Sequence, residues 1–226
     1  TGPFMLSSIQ EGEFSKFEAN PNYWGQVSST KVVTQRLVAE PFTRYAMLER
    51  GEADIIMGIT GPLLERIKAN DELTTVSTRY SGTSIIGFNR GTNPEFKDSR
   101  VRLAIAHAID RQAIADTILG GVCEPATHIF TPGTFGYDES IKPVPYDPAK
   151  AKQLLSEAGI APGHEVDFTI HAQSFGSLPN APTVLEAIAG YLEAVGLKPK
   201  RLPRETGAWL EEMRAGTQRG IFYGPN

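Results

Sequence analysis

"EVDFTIHAQSFGSLPNAPTVLEAIAGYLEAVGLKPKRLPRETGAWLEEMRAGTQRGIFYGP" (residues 165–225) holds the pattern that decides the fold. "EVDFTIHAQS" (165–174) reads as a strand, and "APTVLEAIAGYLEAVG" (181–196) has the apolar spacing of an amphipathic helix. "LKPKRLPRE" (197–205) is extended, "GAWLEEMRAG" (207–216) helical, and "GIFYGP" (220–225) a further strand. This is β-α-β-α-β order, the alternation of an α/β protein.

The same alternation runs back toward the N-terminus. "FMLSSI" and "FSKFEAN" are strands joined across the Gly-containing turn "QEGE", and "KVVTQRLVA" is a β-branched third strand. Pro41 suits the first turn of a helix, "PFTRYAMLERG", that Gly51 can close, and Pro62 starts a second, "PLLERIKAN". "ADIIMGI", "LTTVSTRY" and "TSIIGFN" read as further strands. Residues 99–119, opening "SRVRLAIAHAIDRQAI", read as one long helix capped by Asp98 or Ser99, with Val101, Ala104, Ile105, Ala108 and Ile109 as its apolar stripe. On its flank, Asp98 can pair with Arg102, and His107 with Asp110. "VCEPATHIFTPGTFGYDESIKPVPYDP" (122–148), with five prolines and two glycines, is a long irregular segment of the kind that binds or interacts. "DPAKAKQLLSEAG" carries its own cap, Asp147, and its own stop, Gly159.

The 226 residues suffice for one large domain or two small ones, and 40% hydrophobic with 21% charged residues describes a globular chain. A net charge of −4 gives no pull toward nucleic acid. No apolar run approaches the ~20 residues of a membrane span, so direct membrane insertion is not expected. The single cysteine, Cys123, excludes an internal disulfide. "TGPFMLSSIQ" lacks the basic and apolar regions of a signal peptide and has no initiating Met, so an internal start is expected.

Catalytic and metal signatures are missing. The four histidines, His107, His128, His164 and His171, form no H-x-x-x-H pair, and Cys123 has no C-x-x-C partner, so no metal site is expected. There is no G-x-S-x-G elbow and no phosphate-cradling Gly-rich motif, so no cofactor is expected. His107 and Asp110 read as a flank pair on a structural helix. The residues alone still leave open a hydrolase-type enzyme using His107 or His128 with a nearby carboxylate, or a sensor or chaperone module that binds without transport. Phe130, Phe135 and Tyr137 lie in the Pro/Gly-rich segment off any helical spacing: they either pin the loop to its own domain as buried aromatics or form a wall of a ligand cleft. Gln173, Ser174 and Phe175 follow a strand end, where α/β folds place ligand groups. Phe222 and Tyr223 alternate on the last strand, so one faces in and one out.

The order of blocks resembles the extracytoplasmic solute-binding proteins of family 5, the oligopeptide-, dipeptide- and nickel-binding components of ABC importers. "TGPFMLSS…FSKFEANPNYWG", "YAMLERGEADI", "IIGFNRGTNPEFKDSRVRLAIAHAIDRQAI", "TPGTFGYD", "YDPAKAKQLLSEAG" and "YLEAVGLKPK" match that family's segments collinearly along the chain. The resemblance implies a periplasmic-binding-protein-like fold (type II, cluster C), here a fragment with parts of two α/β lobes. Residues 1–88 would be the central part of lobe one and 89–226 the first part of lobe two, with Gly87, Phe88 and Asn89 at the interlobe hinge. It implies binding of a peptide or other small solute without catalysis, and delivery to an ABC permease in the inner membrane. The location would be periplasmic or extracytoplasmic and lipid-anchored. Cleft-lining stretches would include Gln173, Ser174, Phe175, Phe222, Tyr223 and Asn226. Peptide-binding relatives carry an Arg where this chain has Phe222, and an Asp beyond the position where it ends.

Overall fold

The computed structural model of the chain describes residues 2–77, 82–171 and 180–225. It divides into two compact units, Thr1–Gly58 and Ile59–Asn226. The seam between them lies upstream of the 88/89 lobe boundary that the family resemblance implies.

The first unit is an antiparallel meander followed by a helix. Strands β1 (Phe4–Gln10), β2 (Phe14–Ala19) and β3 (Val32–Arg36) pair in that order, with a bulge in β1 between Leu6 and Ser8. Gly12, at φ 77°, makes the tight turn between β1 and β2. Helix α1 (Pro41–Glu49) starts at the expected proline and buries Tyr45 and Met47. Arg44 ties its start to the preceding chain by donating to the carbonyls of Val38 and Ala39, both at 2.7 Å. The expected strand "ADIIMGI" does not form. Ile55 and Met57 are exposed and no described strand lies beside them, and an apolar run becomes a strand only when a neighbour takes its backbone hydrogen bonds.

The second unit opens with helix α2 (Pro62–Lys68), which buries Leu63 and Ile67. Leu73–Ser77 of the expected strand "LTTVSTRY" is irregular, and the rest of that stretch lies outside the described residues. A four-stranded sheet follows, in the order β4 (Ser84–Phe88), β7 (Ile221–Pro225), β5 (His164–His171), β6 (Leu197–Arg204). β5, β6 and β7 are mutually parallel where they pair, and β4 runs antiparallel to β7. Helix α6 (Ala181–Ala194) connects β5 to β6 and packs on both. Helix α7 (Thr206–Ala215) returns the chain to β7. β6 is an edge strand, and Pro199 and Pro203 in it withhold backbone donors from further pairing. Gly220, at φ +64°, enters β7 so close to β5 that a Cβ there would lie 1.9 Å from the Asp167 carbonyl oxygen.

Residues 99–119 are two helices rather than one. Helix α3 (Ser99–Ala108) has Asp98 as its cap, and its apolar stripe is buried as the spacing requires. Ile109 is extended, and the Asp110 carboxylate accepts from the Ala113 N–H at 2.9 Å, capping helix α4 (Arg111–Ala113). α4 runs into a π-helical turn, Ile114–Ile118, closed by the Leu119 N–H on the Ile114 carbonyl. The break arises because an Asp side chain satisfies free N–H groups better at a helix start than inside one. Helix α5 (Pro148–Glu157), capped by Asp147, packs on α3. One core joins these elements around Phe96, Ile105, Phe168, Leu185, Leu192 and Tyr223.

Candidate functional site

The parallel strands fix where a ligand edge can be. Pairing of Ser84 with Pro225 and of Phe168 with Ile221 brings the carboxyl ends of β5 and β7 level with the start of β4. In open α/β sheets this carboxyl edge is where ligands sit. The long irregular segment, 122–146, is tethered there: the Thr83 hydroxyl, buried just ahead of β4, donates to the Ile129 carbonyl at 3.1 Å.

Next to that tether stands an aromatic cluster. The His128 ring stacks on Tyr137 (centroids 5.0 Å apart) and meets Phe130 edge-on (6.0 Å). The Phe130 N–H points at Nδ1 (3.2 Å) and the Asp138 N–H at Nε2 (3.3 Å). A neutral imidazole has one accepting nitrogen, so one of these contacts is a hydrogen bond at a time. The Asp138 carboxyl is held below the usual carboxylate range by the Ser140 hydroxyl and backbone N–H, with His128 adding to the effect. Phe130 and Tyr137 thus come together around His128, while Phe135 projects into solvent outside the cluster. His128 is the member that spacing did not select for binding. Its signal was composition, a His two residues before Phe130 in a segment with no periodicity.

The other end of the same segment is pinned by the residues in which an acid–base pair had been possible. His107 Nδ1 donates to the Pro145 carbonyl at 2.9 Å, and the His107 carbonyl accepts from the Asp147 N–H at 2.9 Å. Arg111 donates to the Val144 carbonyl, and burial pushes its guanidinium below its ordinary value. Asp110 is occupied as a helix cap, so His107 and Asp110 do not form the expected flank pair. Asp98 likewise pairs with Arg100 at 2.6 Å, whereas Arg102 donates to the Phe96 and Lys97 carbonyls. Tyr146 meets Tyr191 edge-on at 5.8 Å, and desolvation, with Asp110 and Tyr146 nearby, raises the Tyr191 phenol.

β7 carries its two aromatics on opposite faces. Tyr223 lies in the core, 2% exposed, its hydroxyl sharing a 3.0 Å hydrogen bond with Ser84. Phe222 covers Gly87 on the other side so closely that a Cβ at 87 would fall 2.3 Å from its ring. Phe88 packs on Phe96, centroids 5.2 Å apart. Phe222, Phe88 and Asn89 line a shallow depression with Arg90, Gly91 and Gln218, at the amino end of β7 and away from the aromatic cluster. Asn89 ties this end together: its Nδ2 donates to the Gly216 and Gln218 carbonyls, and its Oδ1 accepts from the Gly91 and Thr92 N–H groups. Gln173, Ser174, Phe175 and Asn226 lie outside the described residues.

Among the described residues no group of three or more His, Cys, Asp or Glu side chains is placed to hold a metal ion. No helix among them is long and apolar enough to cross a membrane.

The comparisons with known proteins agree with this architecture. The chain is 30% identical over 224 residues to heme-binding protein A of Haemophilus influenzae, covering 98% of this chain and 41% of that protein. It is 30% identical over 225 residues to di/tripeptide-binding protein 2 of Pseudomonas aeruginosa, covering 99% and 42%. The ABC transporter-associated periplasmic binding protein DppA of Helicobacter pylori, solved with the peptide STSA, superposes with a TM-score of 0.86 at 28% identity, over 100% of this chain and 43% of that one. The chain therefore spans about two fifths of the length of the proteins it matches. Its fold is that of part of a type II periplasmic binding protein. The model of the bacterial extracellular solute-binding proteins, family 5 middle region, matches residues 1–224, and the chain belongs to that family.

Proposed function

We propose that this chain is part of the solute-binding component of an ABC importer, which captures a peptide or other small solute between two lobes and delivers it to a membrane permease. The carrying observation is the aromatic cluster of His128, Phe130 and Tyr137, tethered through Thr83 at the carboxyl edge of the β5/β7 sheet. Aromatic walls with a few polar anchors suit a solute cleft. Residues 1–88 form part of lobe one and 89–226 part of lobe two, with Gly87, Phe88 and Asn89 where the chain enters lobe two. Gln173, Ser174, Phe175 and Asn226 follow β5 and β7 in sequence and complete the set of cleft candidates. The work is binding without bond chemistry, outside the cytoplasm. His107 and Arg111 support this reading, since both hold the cleft segment in place.

Calorimetric titration of the full-length protein against di- and tripeptides, longer peptides and heme tests the proposal. The expected result is saturable one-to-one binding of at least one of these classes, weakened at least several-fold by Tyr137→Ala. Absence of binding to every class, or solute turnover, would overturn it.

A further inference from the structure

Helix α6 begins at a residue that declines its usual role. Asn180 precedes the helix, where an Asn side chain ordinarily accepts from the first turn's N–H groups. Its side chain makes no such bond. Instead Nδ2 donates to the Thr60 hydroxyl at 2.7 Å, across 120 residues of sequence. Asn180 also sits at φ 56°, the one non-glycine with positive φ among the described residues. A backbone that L side chains rarely adopt is thus held at the point of this contact. Beside it, Gly61 meets Gly120 backbone to backbone: a Cβ on Gly120 would lie 2.9 Å from the Gly61 nitrogen and 3.1 Å from its Cα. Thr60 and Asn180 are both partly shielded from water, and Gly61 is buried.

On the two-lobe reading, on which this inference rests, the second compact unit, Ile59–Asn226, holds residues of both lobes: Thr60 and Gly61 of lobe one, Gly120 and Asn180 of lobe two. We infer that Thr60–Asn180 and Gly61–Gly120 form a clasp between the lobes, which favours the closed state and is undone on opening. The chemistry suits a reversible contact: one neutral hydrogen bond and a close backbone approach. A clasp of this kind raises the closed fraction in the absence of solute, and apparent affinity rises in proportion to that fraction. Asn180 and Thr60 are therefore positioning residues for solute capture, acting through closure rather than by touching the solute.

The test uses the full-length protein in a Cys123→Ser background, spin-labelled at Glu11→Cys and Lys152→Cys, with distances read by double electron–electron resonance. Spectra are taken without solute and with a di- and tripeptide mixture. Thr60→Val deletes the hydroxyl at constant shape, and Asn180→Gly deletes the amide while permitting the positive φ. Two distance populations are expected without solute. Each variant is expected to lower the closed-to-open ratio roughly 2- to 10-fold, the weight of one such hydrogen bond. The double variant should fall no further than the larger single effect, because both remove the same bond. Two populations with an unchanged ratio in both variants would overturn the clasp alone, as would a solute-free protein that is wholly open and closes on peptide addition. One fixed distance with and without peptide would overturn the two-lobe reading and the clasp together.

Discussion

Asn89 offers the sharpest test of how the second unit is held together. Its side chain makes four hydrogen bonds: to the carbonyls of Gly216 (3.2 Å) and Gln218 (2.6 Å), and from the N–H groups of Gly91 (2.9 Å) and Thr92 (3.2 Å). These bonds join the exit of β4 to the loop between α7 and β7. A net hydrogen bond contributes about 0.5–1.5 kcal/mol, and those open to water lie at the low end. Asn89→Ala is therefore expected to destabilise the unit by about 2–3 kcal/mol. With a urea slope of about 2 kcal/mol/M, the midpoint falls by about 1–1.5 M. Trp209, 4% exposed in α7, reports this transition by fluorescence, while Trp24, 84% exposed, changes little. Asn89→Asp separates the two halves of the network. It keeps an acceptor for Gly91 and Thr92 but turns an oxygen toward two carbonyls, so at pH 7 its loss should match or exceed that of the alanine variant. A loss below about 0.5 kcal/mol in the alanine variant, or a wild-type midpoint for the aspartate variant, would refute the reasoning.

Gly220→Ala should be among the most damaging single-methyl additions in the chain, because the new Cβ would meet the Asp167 carbonyl and the positive φ would be strained; loss of the folded baseline in circular dichroism at 25 °C is expected, and a cooperative transition near the wild-type midpoint would contradict it. The Cys123 thiol is pushed up by partial desolvation, with Asp116 and Glu124 adding negative charge. Alkylation by iodoacetamide at pH 7.5 should thus be slower than for an unperturbed thiol and still climbing at a pH where that thiol has levelled off, with Asp116→Asn speeding it. The Asp98 carboxyl is lowered, first by the Arg100 side chain and then by the Arg100 N–H. Because its folded value lies below the unfolded one, its stabilisation is present above about pH 4 and disappears as pH falls through the folded value. Acid unfolding of Asp98→Asn, which keeps the cap, should therefore show a shallower pH dependence than wild type, and identical curves would exclude this role.

Much of the element list was legible because it depends on neighbours in sequence. Pro41, Pro62 and Pro148 mark helix starts, and Gly12 turns the first hairpin where the pattern placed it. The errors have different causes. "ADIIMGI" has the composition of a strand but no described partner, and strand formation is a property of pairs. The 99–119 helix has an unbroken apolar pattern, yet the Asp110 carboxylate competes for backbone donors, and hydropathy does not register that competition. His107 and Asp110 have the spacing of a pair, but His107 bonds the distant Pro145 carbonyl and Asp110 the nearby Ala113 N–H. For the candidate site, the segment 122–146 and its aromatics were visible as composition. That His128 joins Phe130 and Tyr137 while Phe135 stays outside was not, because no periodicity ties side-chain direction to position in an irregular loop.

By itself the sequence determined most of the alternating elements, the Asp98 and Asp147 caps and the collinear blocks of a solute-binding family, since each rests on residue types at short spacings. Tertiary structure alone decided the sheet order β4-β7-β5-β6, which sets residues 84–88 beside 221–225. It alone brought Thr83 to Ile129 and Asn180 to Thr60. Those contacts join positions far apart in the chain, and only tertiary packing brings their two segments together.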